Sequence, residues 1–233
     1  MNADKILVNV SDGVMTVTLN RPEKLNAIDN DLAEQLLGAI ETASRHEDVR
    51  VMLLRGSGRA FCAGRDVGAP PTDRDLELVQ AVSKALVAIP KPVMAAVHGW
   101  TVGAGFEWML DADVAVAAIS ARFKLPEASL GVFVTGGLTA TLAASVGLAR
   151  AKSLMLFGDE FSAEQAFGWG LVSHLVPESG FDEAALSLAK RLAALDPRVS
   201  AQYKRVMNEI GLAAFDQAVE AENRAQMSLG AGA

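Results

Sequence analysis

Three short, almost wholly apolar runs, VMLLRG (51–56), PVMAAV (92–97) and VAVAA (114–118), most constrain how this chain can fold. Each reads as a short buried strand, and the segments between them carry helical spacing. From Asp29 to about His46 the apolar residues Leu32, Leu36, Leu37 and Ile40 recur at that spacing, with Asp29 or Asn30 placed to cap the first turn. A second helix is predicted near 76–88, ending before Pro90, and a third from Gly103 to about Asp111. Strand and helix alternating in this order predict right-handed βαβ crossovers and a largely parallel sheet through residue 125. Ahead of them, KILVNV and VMTVTLN flank Ser11-Asp12-Gly13, the signature of a hairpin.

The second half changes character. From Gly136 to Met227 helical periodicity dominates, with apolar stripes at Leu186, Leu188, Ala189 and Leu192 and again at Phe215 and Val219. The expected organisation is an α/β core over 1–180 and a helical C-terminal region over 181–233, without repeats or a true linker. Residues 57–75, rich in Gly, Pro and Asp, form the longest irregular stretch and are expected to be functional or mobile.

With 233 residues, 51% of them hydrophobic, the chain can bury a substantial core. A net charge of −7 with no cluster of Lys and Arg argues against a nucleic-acid partner. The longest apolar runs are interrupted by Gly, Thr and Ser, so no membrane span is expected, and residues 1–10 carry no export signal. Cys62 is the single cysteine, which fits a reducing cytoplasm. Three scattered histidines and one cysteine have no metal-ligand spacing.

HGWTVGAGFEWMLDAD (98–113) sets one acid, Glu107, among small and apolar residues. At a helix start the first N–H groups lack internal partners, and Gly103-Ala104-Gly105 would let a ligand oxygen approach them. Tight helix-to-sheet packing explains the same triplet. Glu107 is either an acid placed favourably in the first turn or a carboxyl whose apolar surroundings tune it for proton transfer. Glu127, in FKLPEASLG, is a second acid among apolar residues, 20 positions later; a solvated turn acid is the plainer alternative. GSGRAFCAGRD has neither a phosphate-loop nor a dinucleotide-loop pattern, so nucleotide hydrolysis is not expected; it offers exposed backbone in an unusual turn, a second candidate hydrogen-bond donor.

Taken together, LNRPEKLNAID (19–29), FCAGRD (61–66), MAAVHGWTVGAGFEWMLDAD (94–113), FKLPEASLG (123–131) and GDEFSAEQAFGWGLVSHLVP (158–177) resemble the crotonase superfamily, the enoyl-CoA hydratase/isomerase family. The resemblance implies a crotonase-like α/β spiral of ββα units, with C-terminal helices mediating homotrimers or dimers of trimers. It implies an acyl-CoA thioester substrate and no cofactor or metal beyond the coenzyme A of that substrate. It places a backbone oxyanion hole at the N–H groups of Arg65 and Ala104. Glu107 matches the family acid that activates water, and Glu127 the one that handles the α-carbon proton. Lys24, Ala27, Ala63 and Asp66 match positions along the CoA moiety. The activity implied is addition of water to a 2-enoyl-CoA. The alternatives are an enoyl-CoA isomerase, a carnitinyl-CoA-type dehydratase or hydratase-lyase, or a non-catalytic acyl-CoA-binding oligomer.

Two departures from the family pattern stand out. Val132-Phe133-Val134 replaces the usual Pro and Gly-rich turn and predicts a reshaped acyl pocket. After QMSLGAGA relatives usually continue with a further helix, and residues 228–233 are expected to be a flexible end. His98 is expected to make a structural hydrogen bond, Trp100 to pack or line the pocket, and Trp108 and Trp169 to sit in a core or interface. Cys62, with no base beside it, is not expected to act as a nucleophile.

Overall fold

The turn dipeptide Asp12-Gly13 adopts positive φ at both residues (52° and 77°), the requirement of a two-residue hairpin turn. It joins β1 (Ile6–Ser11) to β2 (Val14–Leu19) in an antiparallel pair. The computed structural model describes residues 4–66, 68 and 72–230. After the hairpin come α1 (Asn30–Arg45), β3 (Val51–Gly56), β4 (Ala60–Cys62), α2 (Asp73–Ala88), β5 (Val93–Val97), β6 (Trp100–Val102), α3 (Ala104–Leu110), β7 (Val114–Ala118) and β8 (Arg122–Lys124). A 3-10 turn, Glu127–Leu130, leads into α4 (Leu138–Val146), α5 (Leu148–Phe157), β9 (Phe161–Ser162), α6 (Ala163–Gly168) and β10 (His174–Val176). The chain closes with α7 (Phe181–Ala193), α8 (Pro197–Gly211) and α9 (Phe215–Gly230).

The three apolar runs are β3, β5 and β7, and they pair in parallel at the centre of a sheet ordered β1-β2-β3-β5-β7-β10. Each is followed by a short strand that leaves this sheet and joins a second one, ordered β4-β6-β8-β9. Strand in one sheet, strand in the other, then a helical segment: this is the repeating ββα spiral of the crotonase fold. The single sheet expected through residue 125 is thus two, because strands of three residues leave too little periodicity to register in sequence. The larger sheet also recruits β10, parallel to β7, from a region whose periodicity had read as helical.

The central strands are buried on both faces, as parallel strands must be. Met52, Leu54, Ala95, Val97 and Ala117 point into the main core, while Val51, Leu53, Met94, Ala96 and Val116 point to the opposite face. That opposite face is covered by α7 through Phe181, Ala185, Ala189 and Ala193. Residues spaced by four keep one narrow stripe on the sheet, and alanine brings the helix backbone close. Of the expected stripe only Ala189 lies at its centre; Leu186, Leu188 and Leu192 flank it, half-buried.

Asp29 caps α1, its side chain accepting from Leu32 N. Thr72 and Asp75 form a reciprocal capping box that starts α2 at Asp73, three residues before the expected start. Part of the irregular 57–75 segment, residues 67 and 69–71, lies outside the described residues. Residues 228–230, expected to be a flexible end, belong to α9, while 231–233 lie outside the described residues. Among the described residues no helix is long and apolar enough to cross a membrane.

Candidate active site

The site begins with a buried amide. Asn26, with positive φ and no exposure, donates from Nδ2 to the carbonyls of Ser57, Ala60 and Phe61, and its Oδ1 accepts from Arg21 N. Both ends of the buried amide are thus engaged, and its NH2 group holds the PEKLNA loop against β4 and the turn before it. Sequence reasoning missed Asn26, although an Asn after a Leu that also takes positive φ is a turn signal in principle.

Beside it the two loops form a parallel bridge between Ile28 and Arg65, through Ile28 N to Gly64 O and Asp66 N to Ile28 O. The bridge leaves the Arg65 N–H outside it. Across from it, Ala104 N–H is the first of α3 and precedes the first intrahelical bonds, which Phe106 and Glu107 make to Gly103 O. The two turns touch: a Cβ on Gly64 would meet Val102 O at 2.8 Å and Ala104 N at 3.7 Å. Gly103, at φ 53°, has no room either, because its Cβ would sit 2.7 Å from Glu127 Oε1. Gly105 serves packing instead, since a Cβ there would strike Cys62 Cβ at 2.6 Å. The Gly-Ala-Gly triplet therefore divides between both readings of it. With only seven residues, α3 contributes individual N–H groups more than a macrodipole.

These turns open onto a cavity of about 480 Å³ lined by Ala63, Gly64, Arg65, Asp66, Val102, Gly103, Ala104, Glu107 and Glu127. Its outer end is apolar, with Leu76, Leu130, Val132 and Phe133, and Gln226 of α9 closes one side. Of the sequence-derived candidates, Arg65, Ala104, Glu107, Glu127, Ala63 and Asp66 share this cavity. Lys24 is exposed on the neighbouring loop and Ala27 is buried beneath it, and neither lines the cavity wall. Val132 and Phe133 do line it, while Val134 is in the core. Asp66 accepts from Gly68 N at 3.2 Å and from Arg21 at 3.1 Å, which in that order keep its carboxyl below the usual range.

Glu107 is 2% exposed. Its carboxylate accepts from Gly136 N and, at 3.4 Å, from Thr135 N. Burial, then the charges of Glu127, Glu222 and Asp111, hold its pKa well above the ordinary carboxyl value, against the Gly136 hydrogen bond. Glu127 is pushed up to about 7, chiefly by burial, and its Oε2 has no hydrogen-bond partner among the described residues. Two carboxyls thus face one cavity, both raised above the ordinary carboxyl value, and that of Glu127 lies where proton transfer near neutrality is efficient.

Gly136 and Gly137 were not singled out by sequence as site residues. Gly136 N–H grips Glu107, and a Cβ there would collide with Glu107 Oε2 and with Ser83 Oγ. Gly137 N–H bonds Glu222 at 2.7 Å, and Glu222 also holds Thr139 N and Oγ1, which ties α9 to the start of α4. The adjacent glycines were the available signal.

The remaining candidates behave as structural groups. His98 Nε2 pairs with Gly58 O at 2.9 Å. Trp108 is fully buried, Trp169 lies under Arg150 at 4.7 Å, and Trp100 is exposed, away from the cavity wall. Cys62 is fully buried and its thiol is pushed up to about 12 by burial, so it is inert.

A ββα spiral whose two glycine turns set free N–H groups in one cavity with a buried and a half-buried acid defines a crotonase-type site. The sequence model of the family described as enoyl-CoA hydratase/isomerase matches residues 9–232, and the chain belongs to that family. Among its relatives, 1,2-epoxyphenylacetyl-CoA isomerase of Escherichia coli K12 is 38% identical over 198 residues, 81% of this chain and 76% of that protein. The 2,3-dehydroadipyl-CoA hydratase of the same organism is 36% identical over 218 residues, 90% and 85% of the two chains. The crystal structure of an enoyl-CoA hydratase from Mycobacterium avium subsp. paratuberculosis superposes with a TM-score of 0.91 at 31% identity, covering 97% of this chain and 89% of that one.

Proposed function

We propose that the protein adds water across the double bond of a 2-enoyl-CoA thioester. The observation that carries this reading is the pair of carboxyls, the buried Glu107 and the half-buried Glu127, set in one cavity with the outward N–H groups of Arg65 and Ala104. In the proposed reaction Glu107 takes a proton from water as the oxygen attacks the β-carbon. Electrons move onto the thioester oxygen, where the two N–H groups stabilise the developing enolate; one such donor is typically worth roughly 3 kcal/mol in the transition state. Glu127 then gives its proton to the α-carbon, and the proton on Glu107 restores Glu127 before the next turnover. The pantetheine and nucleotide would lie along the paired loops of Lys24, Ala27, Ala63 and Asp66. No metal or other cofactor is needed beyond the coenzyme A of the substrate.

The test is loss of conjugated-enoyl absorbance with short and medium 2-enoyl-CoA thioesters. Turnover that persists in a variant carrying both Glu107→Gln and Glu127→Gln would overturn the two-carboxyl mechanism. A second reading, isomerisation, draws support from the 38% identity to a protein named as an isomerase and from the apolar outer end at Leu130 and Phe133. There the same acids would remove a proton at one carbon and return it at another, and mass-spectrometric product analysis separates the outcomes by the added water.

Assembly is part of the proposal. On α8 the side chains of Val199, Tyr203, Val206, Met207 and Ile210 recur at helical spacing yet are exposed, as are Leu156 and Phe157 at the end of α5. Apolar surface of this kind favours a homotrimer or a dimer of trimers. Light scattering of the purified protein would show a monomer if that is wrong.

A further inference from the structure

Behind Glu107, on the side away from the cavity, lies a group of buried polar atoms that the proposed reaction does not use. Asp111 follows Glu107 by one helical turn on α3, so both carboxyls lie on the same face of the helix. Asp111 is 4% exposed, and both its oxygens lack a hydrogen-bond partner among the described residues. Ser83 of α2 is fully buried, and its hydroxyl is unpartnered in the same way. Ser83 adjoins both acids. Its Oγ and Glu107 Oε2 flank the one spot that a Cβ on Gly136 would fill, Oγ at 2.5 Å from it. On the other side it leans on the Asp111 carboxyl, short of a hydrogen bond of good geometry.

Two further charged groups face Asp111, and both are engaged elsewhere. Lys204 of α8 bonds Asp113 Oδ2 at 2.9 Å and Leu86 O at 2.8 Å. Glu222 of α9 is held by Gly137 N and by Thr139. Neither gives Asp111 a hydrogen bond. A carboxylate buried without donors is strongly disfavoured, whereas a neutral carboxylic acid needs an acceptor for its O–H, and Ser83 Oγ stands next to it.

We propose that Asp111 is a positioning residue for Glu107 acting through Ser83: the neutral Asp111 carboxyl donates to Ser83 Oγ, and the Ser83 hydroxyl turns its own proton to Glu107 Oε2. The proposal rests on the reading of Glu107 as the base. It makes Asp111 the group that sets the direction of the chain. An ionised Asp111 would draw the Ser83 proton towards itself, and Glu107 would keep only its backbone donors. Burial, and then the charge of Glu222, hold Asp111 well above the ordinary carboxyl range; the nearby Ser83 and Lys204 oppose this. The function of the chain is to stabilise the ionised form of a base that burial would otherwise neutralise.

The test is the pH profile of kcat/KM for the full-length protein with a 2-enoyl-CoA, measured for wild type, Ser83→Ala, Asp111→Ala, Asp111→Asn and Glu107→Gln. Activity rises with pH as Glu107 ionises. Removing a donor raises its pKa, so Ser83→Ala should move the acid limb upward by about one pH unit, the size of a lost hydrogen bond to a charged group, and Asp111→Ala, which leaves the Ser83 hydroxyl without the group that aims it, should move it the same way by less. Asp111→Asn keeps an N–H that donates to Ser83 and should retain the wild-type limb. The carbonyl infrared band of a neutral carboxylic acid should be weaker in Asp111→Asn than in wild type, a readout that needs no turnover. Ser83→Ala removes a single oxygen and decides the matter even if Asp111→Ala does not fold. Acid limbs coincident with wild type in Ser83→Ala, an Asn variant that shifts like the Ala variant, or an unchanged infrared band would each overturn the proposal. Glu107→Gln separates the two levels: wild-type turnover there defeats the base reading itself, whereas its inactivity beside unshifted Ser83→Ala and Asp111→Ala profiles defeats only the chain through Ser83.

Discussion

Glu107 and Glu127 face the same cavity but are held in opposite ways. Glu107 is on a helix, sealed by core, with backbone N–H groups of Thr135 and Gly136 closing on its oxygens. Glu127 begins a 3-10 turn, half-buried, with one oxygen against Gly103 and the other without a partner. An acid gripped on several sides keeps one orientation, which suits a base that must aim a water molecule. An acid with a free oxygen can follow a substrate carbon, which suits a proton donor. The difference comes from the supporting elements, because the two side chains are chemically the same.

The sharpest way to break this comparison is to neutralise each acid separately. Glu107→Gln is expected to lower kcat by about 10³–10⁴-fold and Glu127→Gln by about 10²–10³-fold, both within or near the range for general acid–base groups. Steady-state kinetics with a 2-enoyl-CoA measures both. Equal losses would mean that the rigid setting of Glu107 confers no advantage.

The supports themselves come next in size. In Gly136→Ala the new Cβ is driven into Glu107 Oε2 and Ser83 Oγ, and in Gly103→Ala it is driven against Glu127 Oε1 at 2.7 Å from a strained φ of 53°. Overpacking of this kind typically costs about 1–3 kcal/mol, which corresponds to about 5–150-fold in rate if it falls on the transition state. Gly131→Ala is a useful control: its φ of 69° is unfavourable, but a Cβ there meets nothing within 4 Å. It should leave kcat within about threefold of wild type, since its backbone strain is of order 1 kcal/mol and lies outside the cavity wall.

How far the sequence reveals such supports depends on their periodicity. The strands β3, β5 and β7, the helix α1 with its Asp29 cap, and the Asp12-Gly13 hairpin are legible because each repeats a pattern over five or more residues or uses a turn dipeptide with one conformation. The strands β4, β6 and β9 are two or three residues long, too short to show a period, so the second sheet was not anticipated. At the site, residues carrying recognisable chemistry, Glu107 and Glu127, are visible as acids in apolar surroundings. The groups that hold them are not: Gly136 acts through its backbone, Asn26 holds carbonyls 31 to 35 positions away, and Ser83 adjoins Glu107 and Asp111, both more than 20 positions away. Local sequence holds no record of those contacts.

The comparison also predicts a pH dependence. With Glu127 at about 7, hydration should decline on the alkaline side as that proton is lost and the donor disappears. On the acid side it should decline as Glu107 gains a proton and ceases to be a base; its raised value places this limb above the ordinary carboxyl range. The limbs belong to the coupled pair. In Glu127→Gln the alkaline limb should vanish, because no donor proton is left to lose. A profile of kcat/KM whose alkaline limb survives Glu127→Gln would assign that limb to another group.

The smallest expected effect is on stability, and it runs against the effect on activity. Glu107 has a folded-state pKa above its unfolded value, so its contribution to stability is fully present below the ordinary carboxyl range and is lost as pH rises through the folded value. Glu107→Gln keeps the shape and an acceptor for Gly136 N–H but has no proton to lose. The variant should match wild type near pH 4 and be the more stable of the two near pH 9, where only the wild type has a buried carboxyl to ionise. For a chain of this size each kcal/mol of that difference raises Tm by about 2–4 °C. Glu127, half-buried where Glu107 is 2% exposed, should give the smaller gain in Glu127→Gln. Thermal melts followed by circular dichroism at both pH values test the ordering, and a Glu127→Gln gain larger than that of Glu107→Gln would reverse the assignment of which acid is the more strained by burial.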